Sequence, residues 1–341
     1  MHAFLNQISR LPWAFVAAFT VAAATAFLLM LALLSGSRAT DSAQPSPMPA
    51  SQAPAEKRIA FSFDDSPRGA GAFIDVKRRP AMLLAALEEA GIRQAVFFAN
   101  PGRFSKGSVT EAAVKSYGAA GHVLANHTAN HLKLSKTSAE AFLADIDIAE
   151  KWLKQQPNYR AWLRFPHLDE GGKDLAKRDA VRAGMRSRGL THGYVTIDAS
   201  DWFLEGRTIA ARRNGRVIDR AALRDLYVQT HVDSANFSHR LAKRTLGRAP
   251  VQMLLLHESD LAALFVTDLA KALRDDGWQI VTADAAYADP IAKIIPDTEF
   301  ANGNMLQMLA WERGIDGSRW FKGNDTRHMA GVFAQQVLGD E

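Results

Sequence analysis

Short apolar runs alternate with longer stretches of helical periodicity between residues 58 and 282. The apolar runs are bounded by turn residues and predict strands at 58–63, 94–99, 122–125, 161–165, 192–198, 251–257 and 278–282. The periodic stretches predict helices at 80–90, 109–120, 138–155, 174–189, 219–246 and 261–275. Because most strands precede a helix, the alternation predicts an α/β fold with a parallel sheet. About seven such units favour a barrel over an open sheet.

Residues 12–34 are apolar and carry no charge. The stretch matches the roughly 20 residues that a helix needs to cross a bilayer, and it lacks the polar face of a soluble helix. We therefore predict a short cytoplasmic tail and a transmembrane anchor within residues 1–40. The small residues that end at Ala39 leave a cleaved signal peptide as the alternative.

The segment after the predicted anchor separates it from the folded part of the chain. Residues 41–56 are rich in Pro, Ser and Ala, a composition typical of a linker. Residues 57–286 contain the alternating strands and helices, and residues 287–341 are predicted to form a helical extension. This organisation predicts a single-pass protein of the cytoplasmic membrane whose folded domain lies outside the cytoplasm, periplasmic or extracellular. Cleavage of the N-terminal segment would make the protein secreted.

Net charge and cysteine content exclude several classes of function. The net charge of +5 is a modest excess for 341 residues, and no basic motif is interleaved with aromatic residues, so we expect no nucleic-acid partner. Cysteine is absent, which excludes disulfides, thiolate zinc sites and cysteine nucleophiles. Any metal must therefore be held by His, Asp or Glu side chains.

Polar side chains follow the predicted strands at the points where the strands end. Along the chain these are Asp64 and Asp65, the stretch NHTANH at 126–131, Arg164 and Pro166, Asp198 and Asp201, and His257. The carboxyl ends of parallel barrel strands meet at one face, which is where barrel enzymes carry their sites. We therefore expect these side chains to converge.

His127 and His131 are four residues apart, a spacing that places two imidazoles on one side of a helix or tight turn. With one carboxylate from Asp64 or Asp65 they provide three ligands and leave an open position for water, as in catalytic zinc sites. Adjacent strand residues point to opposite sides, so the second aspartate can act on the water, whose pKa a metal lowers towards about 7. Taken alone, the histidines would be surface residues and the aspartates a solvated turn.

His257 and Arg164 each have two interpretations. A hydrolase needs an acid for the leaving group, and His257, at the end of an apolar strand, suits that role. The alternative is a core histidine with its hydrogen bonds satisfied. Arg164 could orient the catalytic carboxylate, or it could form an ordinary surface ion pair.

Five short motifs give the chain a resemblance to a known family. FSFDDSP at 61–67, HTANH at 127–131, RFPHLDEG at 164–171, DASDW at 198–202 and MLLLHES at 253–259 resemble, in order and rough spacing, the motifs of the polysaccharide deacetylases, the NodB-homology carbohydrate esterases. The resemblance covers residues 58–282 and implies a distorted (β/α)7 barrel. It also implies metal-dependent removal of acetyl groups from an N-acetylated sugar polymer.

The first motifs imply a base and a metal site. By this resemblance Asp64 is similar to the catalytic base, and Arg164 to the arginine that positions it. Asp65, His127 and His131 are similar to the ligands of a divalent metal, usually zinc.

The later motifs imply an acid and a substrate pocket. His257 resembles the catalytic acid, and Asp201 resembles the acidic partner that tunes it. Trp202 and Leu255 resemble apolar residues that line the acetyl pocket. The backbone N–H after Pro166 would stabilise the oxyanion together with the metal.

Some positions depart from the family pattern. Ser66 stands where glycine is usual, which requires an unstrained backbone at that turn or a small local change. His167 stands where an aromatic residue is common, and either its backbone N–H suffices or its ring contacts substrate. Two segments between motifs are long. They are residues 68–80, whose two glycines could make them mobile, and residues 201–250. They would shape a groove for a particular polymer, or they are plain surface.

The favoured interpretation is a membrane-anchored, zinc-dependent N-deacetylase of peptidoglycan, a chitin-like polymer or an exopolysaccharide. An O-acetyl esterase would use the same groups, although an amide depends more on protonation of its leaving group, which His257 can supply. An inactive, anchored sugar-binding protein on the same barrel is a third interpretation, against which the full set of residues argues. Hydrolases of cyclic amides resemble this family in their barrel but commonly lack the Asp-His-His set. Protein partners do not follow from the sequence.

Overall fold

Two sheets form the framework of the described part of the chain. The computed structural model describes residues 56–104, 109–299 and 301–340. Its strands are β1 (Arg58–Ser66), β2 (Val96–Ala99), β3 (Val123–Asn126), β4 (Tyr159–Leu163), β5 (Asp169–Gly172), β6 (Thr191–His192), β7 (Gln252–His257), β8 (Gln279–Ile280) and β9 (Ala301–Asn302). β5 and β9 pair antiparallel, and the others form one seven-stranded sheet.

The seven-stranded sheet is parallel throughout and has the order β6–β4–β3–β2–β1–β7. β8 pairs with the first two residues of β1, ahead of the point where β2 begins. The segment after β6 reaches the opposite edge, where Ile197 pairs in parallel with Leu254 of β7. The sheet therefore curls into a half barrel whose two edges are linked by one short segment, and the predicted parallel α/β fold is confirmed.

The helices lie between and after the strands. They are α1 (Arg79–Glu89), α2 (Val109–Ala119), α3 (Ala139–Leu153), α4 (Leu175–Ser187), α5 (Asp201–Arg213), α6 (Arg220–Leu246), α7 (Asp260–Asp275), α8 (Ala283–Tyr287), α9 (Met305–Glu312) and α10 (Thr326–Leu338). Side-chain caps mark several starts, since Ser138, Asp219 and Ser259 each accept a hydrogen bond from the first turn of the following helix.

The two faces of β1 bury different kinds of side chain. Ile59, Phe61 and Phe63 are fully buried and pack in one core cluster with residues of α1, α2, α6, α7 and α10. Ala60, on the other face, packs in a second cluster with β7, α8 and α9. Asp64 continues this second face, because side chains alternate along a strand. On β1, the large side chains therefore pack against the surrounding helices, and the small side chains lie on the opposite face.

The predicted strand at 192–198 and the stretch after it differ from the structure. Only Thr191–His192 pairs with β4, because the chain then crosses to β7 and cannot continue one ladder. Helix α5 was not predicted, because several of its buried positions are polar, among them Asp201, Glu205 and Thr208. Polar residues at buried positions hide the apolar period by which a helix is recognised.

Among the described residues, no helix combines the length and the apolar character that a membrane span requires. The predicted anchor at 12–34 and residues 41–55 of the predicted linker lie outside the described residues.

The loop between β1 and α1 is held by a buried ion cluster. Arg79 is 1% exposed, and its side chain bonds to Glu258 Oε1 at 3.0 Å and to Asp260 Oδ1 at 3.1 Å. The same guanidinium donates to the carbonyl oxygens of Arg68 (2.7 Å) and Gly69 (2.9 Å). These contacts attach the loop to the residues that follow β7.

The cluster has further contacts along the same loop. Asp260 Oδ2 accepts hydrogen bonds from the backbone N–H groups of Phe73 and Ile74, both at 2.8 Å. Gly71 approaches the Asp260 carboxylate so closely that an added Cβ would lie 2.1 Å from its carbon. Gly71 therefore permits close packing against Asp260, whereas a Cβ added at Gly69 would meet nothing within 4 Å.

We predict that Arg79→Ala lowers the free energy of unfolding by about 3–5 kcal/mol, because it leaves two buried carboxylates without their cation. The measurement is urea unfolding of the full chain. Arg78→Ala removes an exposed arginine next to it and is expected to change stability by no more than about 0.5 kcal/mol. Equal effects of the two variants on the free energy of unfolding would show that Arg79 does not stabilise the buried carboxylates.

Candidate active site

The adjacent aspartates at the end of β1 have different neighbours because the backbone turns between them. Asp64 is in register with His257 of β7. Asp65 has a left-handed backbone (φ 62°), and the pairing of β1 with β2 is irregular at this point. The Asp65 carboxylate lies beside His127 and His131, whereas the Asp64 carboxylate bonds to Arg164. His127 Nε2 lies between the two carboxylates, 3.6 Å from Asp65 Oδ1 and 3.7 Å from Asp64 Oδ2, so Asp64 and Asp65 differ in their contacts with Arg164 and His131.

Asn100 holds the loop that carries His127 and His131. The Asn100 side-chain amide donates to the carbonyl oxygens of His127 (2.6 Å) and Thr128 (3.0 Å). Left-handed residues at Thr128 and His131, with φ 59° at each, bend the loop back on itself. The bend brings the two imidazole rings to a centroid separation of 4.9 Å.

Asp65, His127 and His131 form a candidate metal centre. One ligand atom from each residue lies within 4.8 Å of the others. Asp65 Oδ1 is 2.8 Å from His131 Nε2 and 3.6 Å from His127 Nε2. Within the described residues this buried oxygen has no hydrogen-bond partner of acceptable geometry. A buried carboxylate oxygen next to two imidazole nitrogens, without a donor, fits a divalent cation between them.

His127 is held in the protonation state that a metal ligand requires. Its Nδ1 lies 2.9 Å from the carbonyl oxygen of Arg164. Because a carbonyl oxygen only accepts, the proton of the neutral ring sits on Nδ1 and the lone pair on Nε2. Burial and the neighbouring His131 lower the pKa of His127, which keeps the ring neutral. Its Nε2 therefore offers a lone pair towards Asp65.

Asp65 is the anionic member of the cluster. Burial would raise the pKa of Asp65, but the close His131 ring and the positive charge of His257 outweigh it and hold the pKa well below its usual range. Asp65 is therefore ionised at every pH at which the fold is expected to persist.

Arg164 is buried beneath the Asp64 carboxylate. Its Nη1 donates to both oxygens of Asp64, at 2.9 and 3.1 Å, and its Nε donates to the carbonyl oxygen of Gly193. The guanidinium lies over the ring of Phe98, 4.2 Å from the centroid. Only 1% of the Arg164 side chain is exposed, so the alternative of an ordinary surface ion pair is wrong.

Asp64 combines this ion pair with a high proton affinity. Burial raises the pKa of Asp64 to about 6, although the positive charges of Arg164 and His257 oppose the rise. A carboxylate that is ionised near neutral pH and still accepts a proton readily suits general base catalysis.

His257 and Asp201 form a second pair at the end of β7. Asp201 begins α5, directly after Ser200 in a left-handed conformation (φ 52°). His257 donates its backbone N–H to Asp201 Oδ2 at 2.7 Å, and its Nδ1 lies 2.6 Å from Asp201 Oδ1. Burial would lower the pKa of His257, but the Asp201 charge and hydrogen bond outweigh it and raise the pKa. The pair therefore favours a protonated imidazolium.

Pro166 and His167 lie beside the candidate metal centre. Pro166 begins a short 3₁₀ turn, Pro166–Leu168, in which His167 is left-handed (φ 59°). The ring centroid of His167 lies 4.5 Å from that of His131. Burial and the neighbouring His131 lower the pKa of His167, so the ring is neutral at neutral pH.

Trp202 and Leu255 occupy different environments. Trp202 follows Asp201 and is 45% exposed at the start of α5. Leu255 is buried, shares the face of His257 on β7, and belongs to the inner core cluster. Leu255 thus lies beneath the site, whereas Trp202 is open to solvent at its edge.

The departure at Ser66 has a simple structural explanation. Ser66 is fully buried, and the left-handed conformation in this turn falls on Asp65 rather than on Ser66. A glycine is therefore not needed at position 66 to relieve a positive φ.

Two groups of residues near the site were not predicted. Arg68 and Arg103 place guanidinium nitrogens 3.3 and 3.9 Å from the Asp65 carboxylate. Tyr287 accepts a hydrogen bond from Arg164, although 123 positions separate them in the chain. Arg68 directly follows the first motif, which is a usable signal, but no local pattern marks Tyr287.

One family profile matches the chain. Residues 51–188 match the family described as polysaccharide deacetylase. The matched segment contains the candidate metal centre, Asp64 and Arg164, and it ends before His257. No curated protein matches the chain.

Several solved structures are similar to the chain. The peptidoglycan deacetylase PdaC from Bacillus subtilis is 21% identical, with 67% of this chain and 89% of that chain covered and a TM-score of 0.42. The chitin deacetylase from Colletotrichum lindemuthianum is 15% identical, with coverages of 68% and 87% and a TM-score of 0.46. A CE4 family pseudoenzyme from Bacillus anthracis is 16% identical, with coverages of 69% and 66% and a TM-score of 0.46.

We predict that Asp201→Asn lowers the pKa of His257 by on the order of one unit, because it removes the charge that stabilises the imidazolium. The measurement is an NMR titration of the histidine rings. His122 provides an internal control, since burial alone lowers its pKa to about 4 and the substitution does not touch it. An unchanged His257 pKa would show that Asp201 does not tune it.

Proposed function

Residues 51–188 match the polysaccharide deacetylase family, and on that premise we propose that the chain is a metal-dependent hydrolase that removes acetyl groups from an N-acetylated amino-sugar polymer. One observation carries the proposal. A three-residue metal cluster, a buried carboxylate on an arginine and a histidine on a carboxylate all lie at the carboxyl ends of parallel strands. Hydrolysis of an acetamide needs these three functions: activation of water, removal of its proton and protonation of the leaving amine.

Asp65, His127 and His131 would hold the ion. Their donor atoms are one oxygen and two nitrogens, a set that zinc accepts and that leaves an open coordination position. When bound, such an ion lowers the pKa of water towards about 7 and polarises a carbonyl group. Zinc is our proposal for the native metal.

Asp64 and His257 divide the proton transfers between them. Asp64, with a pKa of about 6, is ionised at neutral pH and accepts the proton of the attacking water. His257 has a raised pKa and is protonated, so it donates a proton to the leaving nitrogen. Because the two residues pair in register on neighbouring strands, they face the same substrate. Arg164 keeps the Asp64 carboxylate oriented throughout.

The pH dependence of the reaction follows from the His257–Asp201 pair. The raised pKa of His257 keeps its proton to higher pH, so activity is lost as pH rises through that pKa. Asp201 stabilises the protonated form of His257. A protonated acid favours hydrolysis of an amide over that of an ester, because an amine leaves far less readily than an alcohol without protonation. We therefore propose N-deacetylation, with peptidoglycan, a chitin-like polymer or an exopolysaccharide as substrate.

The proposed location is the outer side of the cytoplasmic membrane. The charge-free apolar stretch at 12–34 and the Pro/Ser/Ala-rich residues that follow it support an anchor and a spacer. A deacetylase placed there would meet envelope or extracellular polymers.

We predict that the purified full chain releases no acetate after chelation, and that zinc restores release from chitooligosaccharides or peptidoglycan. Acetylated xylan is tested beside them. Release from xylan alone would instead establish an O-acetyl esterase. No release from any of these substrates, with zinc bound at one per chain, would contradict deacetylation of peptidoglycan and of chitin-like polymers.

The metal ligands are tested in the same preparations. Asp65→Ala and His127→Ala are expected to lose stoichiometric zinc and all acetate release, because each leaves only two ligands. His328→Ala removes an exposed histidine elsewhere on the domain and is the matched control. Retention of one zinc per chain in both ligand variants would show that the ion is held elsewhere.

A further inference from the structure

Tyr287 reaches the active-site arginine from the end of α8. Its hydroxyl accepts a hydrogen bond from Arg164 Nη2 at 3.1 Å and donates one to the carbonyl oxygen of Tyr194 at 2.9 Å. Its ring packs against Trp162 and Tyr194, with centroid separations of 4.3 and 4.9 Å. Burial raises the pKa of Tyr287 to about 12, so the hydroxyl keeps its proton at any working pH.

The position of this hydroxyl matters because of how Arg164 divides its donors. Nη1 is occupied by the two Asp64 oxygens, and Nε by a backbone carbonyl oxygen. Nη2 has three acceptors: the Tyr287 hydroxyl at 3.1 Å, Tyr194 O at 3.2 Å and Ser62 Oγ at 3.3 Å. A guanidinium is planar, so the contacts of Nη2 determine the tilt at which Nη1 meets the carboxylate.

The helix that carries Tyr287 is itself fixed to the sheet. Asp284 accepts hydrogen bonds from Arg160 at 3.0 and 2.9 Å and from the Gln94 side chain at 2.9 Å. Its backbone N–H donates to Gln94 Oε1 at 3.0 Å. The Tyr287 hydroxyl is thus presented from a rigid support rather than from a loose tail.

We propose that Tyr287 is a positioning residue, which acts through Arg164 to hold Asp64 in the orientation that accepts the proton of water. The proposal rests on the proposed function and extends the catalytic apparatus to a residue far outside the segment that matches the family profile. Tyr287 touches Arg164 and no reacting atom, so its effect is expected on turnover and not on substrate or metal affinity.

Tyr194 offers a matched control in the same aromatic cluster. Its hydroxyl donates to the carbonyl oxygen of Ala286 at 2.7 Å and makes no contact with Arg164. Tyr194→Phe therefore removes one internal hydroxyl from the same region and keeps the Tyr194 carbonyl oxygen that accepts from Arg164 Nη2. Tyr287→Phe keeps the ring and removes only the hydroxyl that Arg164 uses.

The kinetic test compares these two variants in the zinc-loaded full chain. Tyr287→Phe is expected to lower kcat on the order of tenfold, with KM and zinc affinity within about twofold of wild type, because a small misplacement of a catalytic group affects the chemical step. Tyr194→Phe is expected to leave kcat within about twofold. Equal losses in the two variants, or no loss in Tyr287→Phe, would overturn the proposal.

A second measurement keeps the test independent of turnover. In NMR spectra of the arginine-labelled chain, the Arg164 Nη signals are expected to shift and broaden in Tyr287→Phe and to remain unchanged in Tyr194→Phe. Unchanged signals in Tyr287→Phe would show that the hydroxyl does not order the guanidinium. If the wild-type chain released no acetate, the proposed function would fail, and this comparison would still decide whether Tyr287 positions Arg164.

Discussion

The buried ion pair between Asp64 and Arg164 is the constraint on which the rest of the site depends. A carboxylate and a guanidinium removed from water are stable together only if their remaining donors and acceptors are satisfied. Here two backbone carbonyl oxygens, a serine hydroxyl and a tyrosine hydroxyl accept hydrogen bonds from the other N–H groups of Arg164. Arg164 follows the end of β4, and its own carbonyl oxygen accepts a hydrogen bond from His127 Nδ1. This contact fixes the tautomer of His127. Arg164 thus links Asp64, the proposed base, to the candidate metal centre.

The curled sheet brings side chains from several strands to this site. β1, β3, β4 and β7 all run in one direction, so their carboxyl ends bring side chains to one place. The helices α8 and α9 pack against the inner face in the same core cluster as β1 and β7. The buried cluster around Arg79 then attaches the loop after β1 to the residues after β7. The two strands that carry Asp64 and His257 are therefore joined through both their ladder and their loops.

Short motifs at strand ends were sufficient to predict most of the candidate site. Asp64, Asp65, His127, His131 and His257 lie where the pattern of apolar runs ends, and the structure brings them together. The pattern could not predict Tyr287, because its contact with Arg164 spans 123 positions and rests on packing alone. It also hid α5, whose buried positions include acids. Long-range contacts and polar residues at buried positions leave no local period to detect.

The role of Asp64 is the central claim, and Asp64→Asn tests it most directly. The amide keeps the shape of the side chain and one oxygen for Arg164, but it cannot accept the proton of water. We predict that the variant binds one zinc per chain and releases acetate from the amino-sugar substrate about 10²- to 10⁴-fold more slowly than wild type. Turnover near that of wild type, with zinc retained, would show that Asp64 is a structural partner of Arg164 and that the base lies elsewhere.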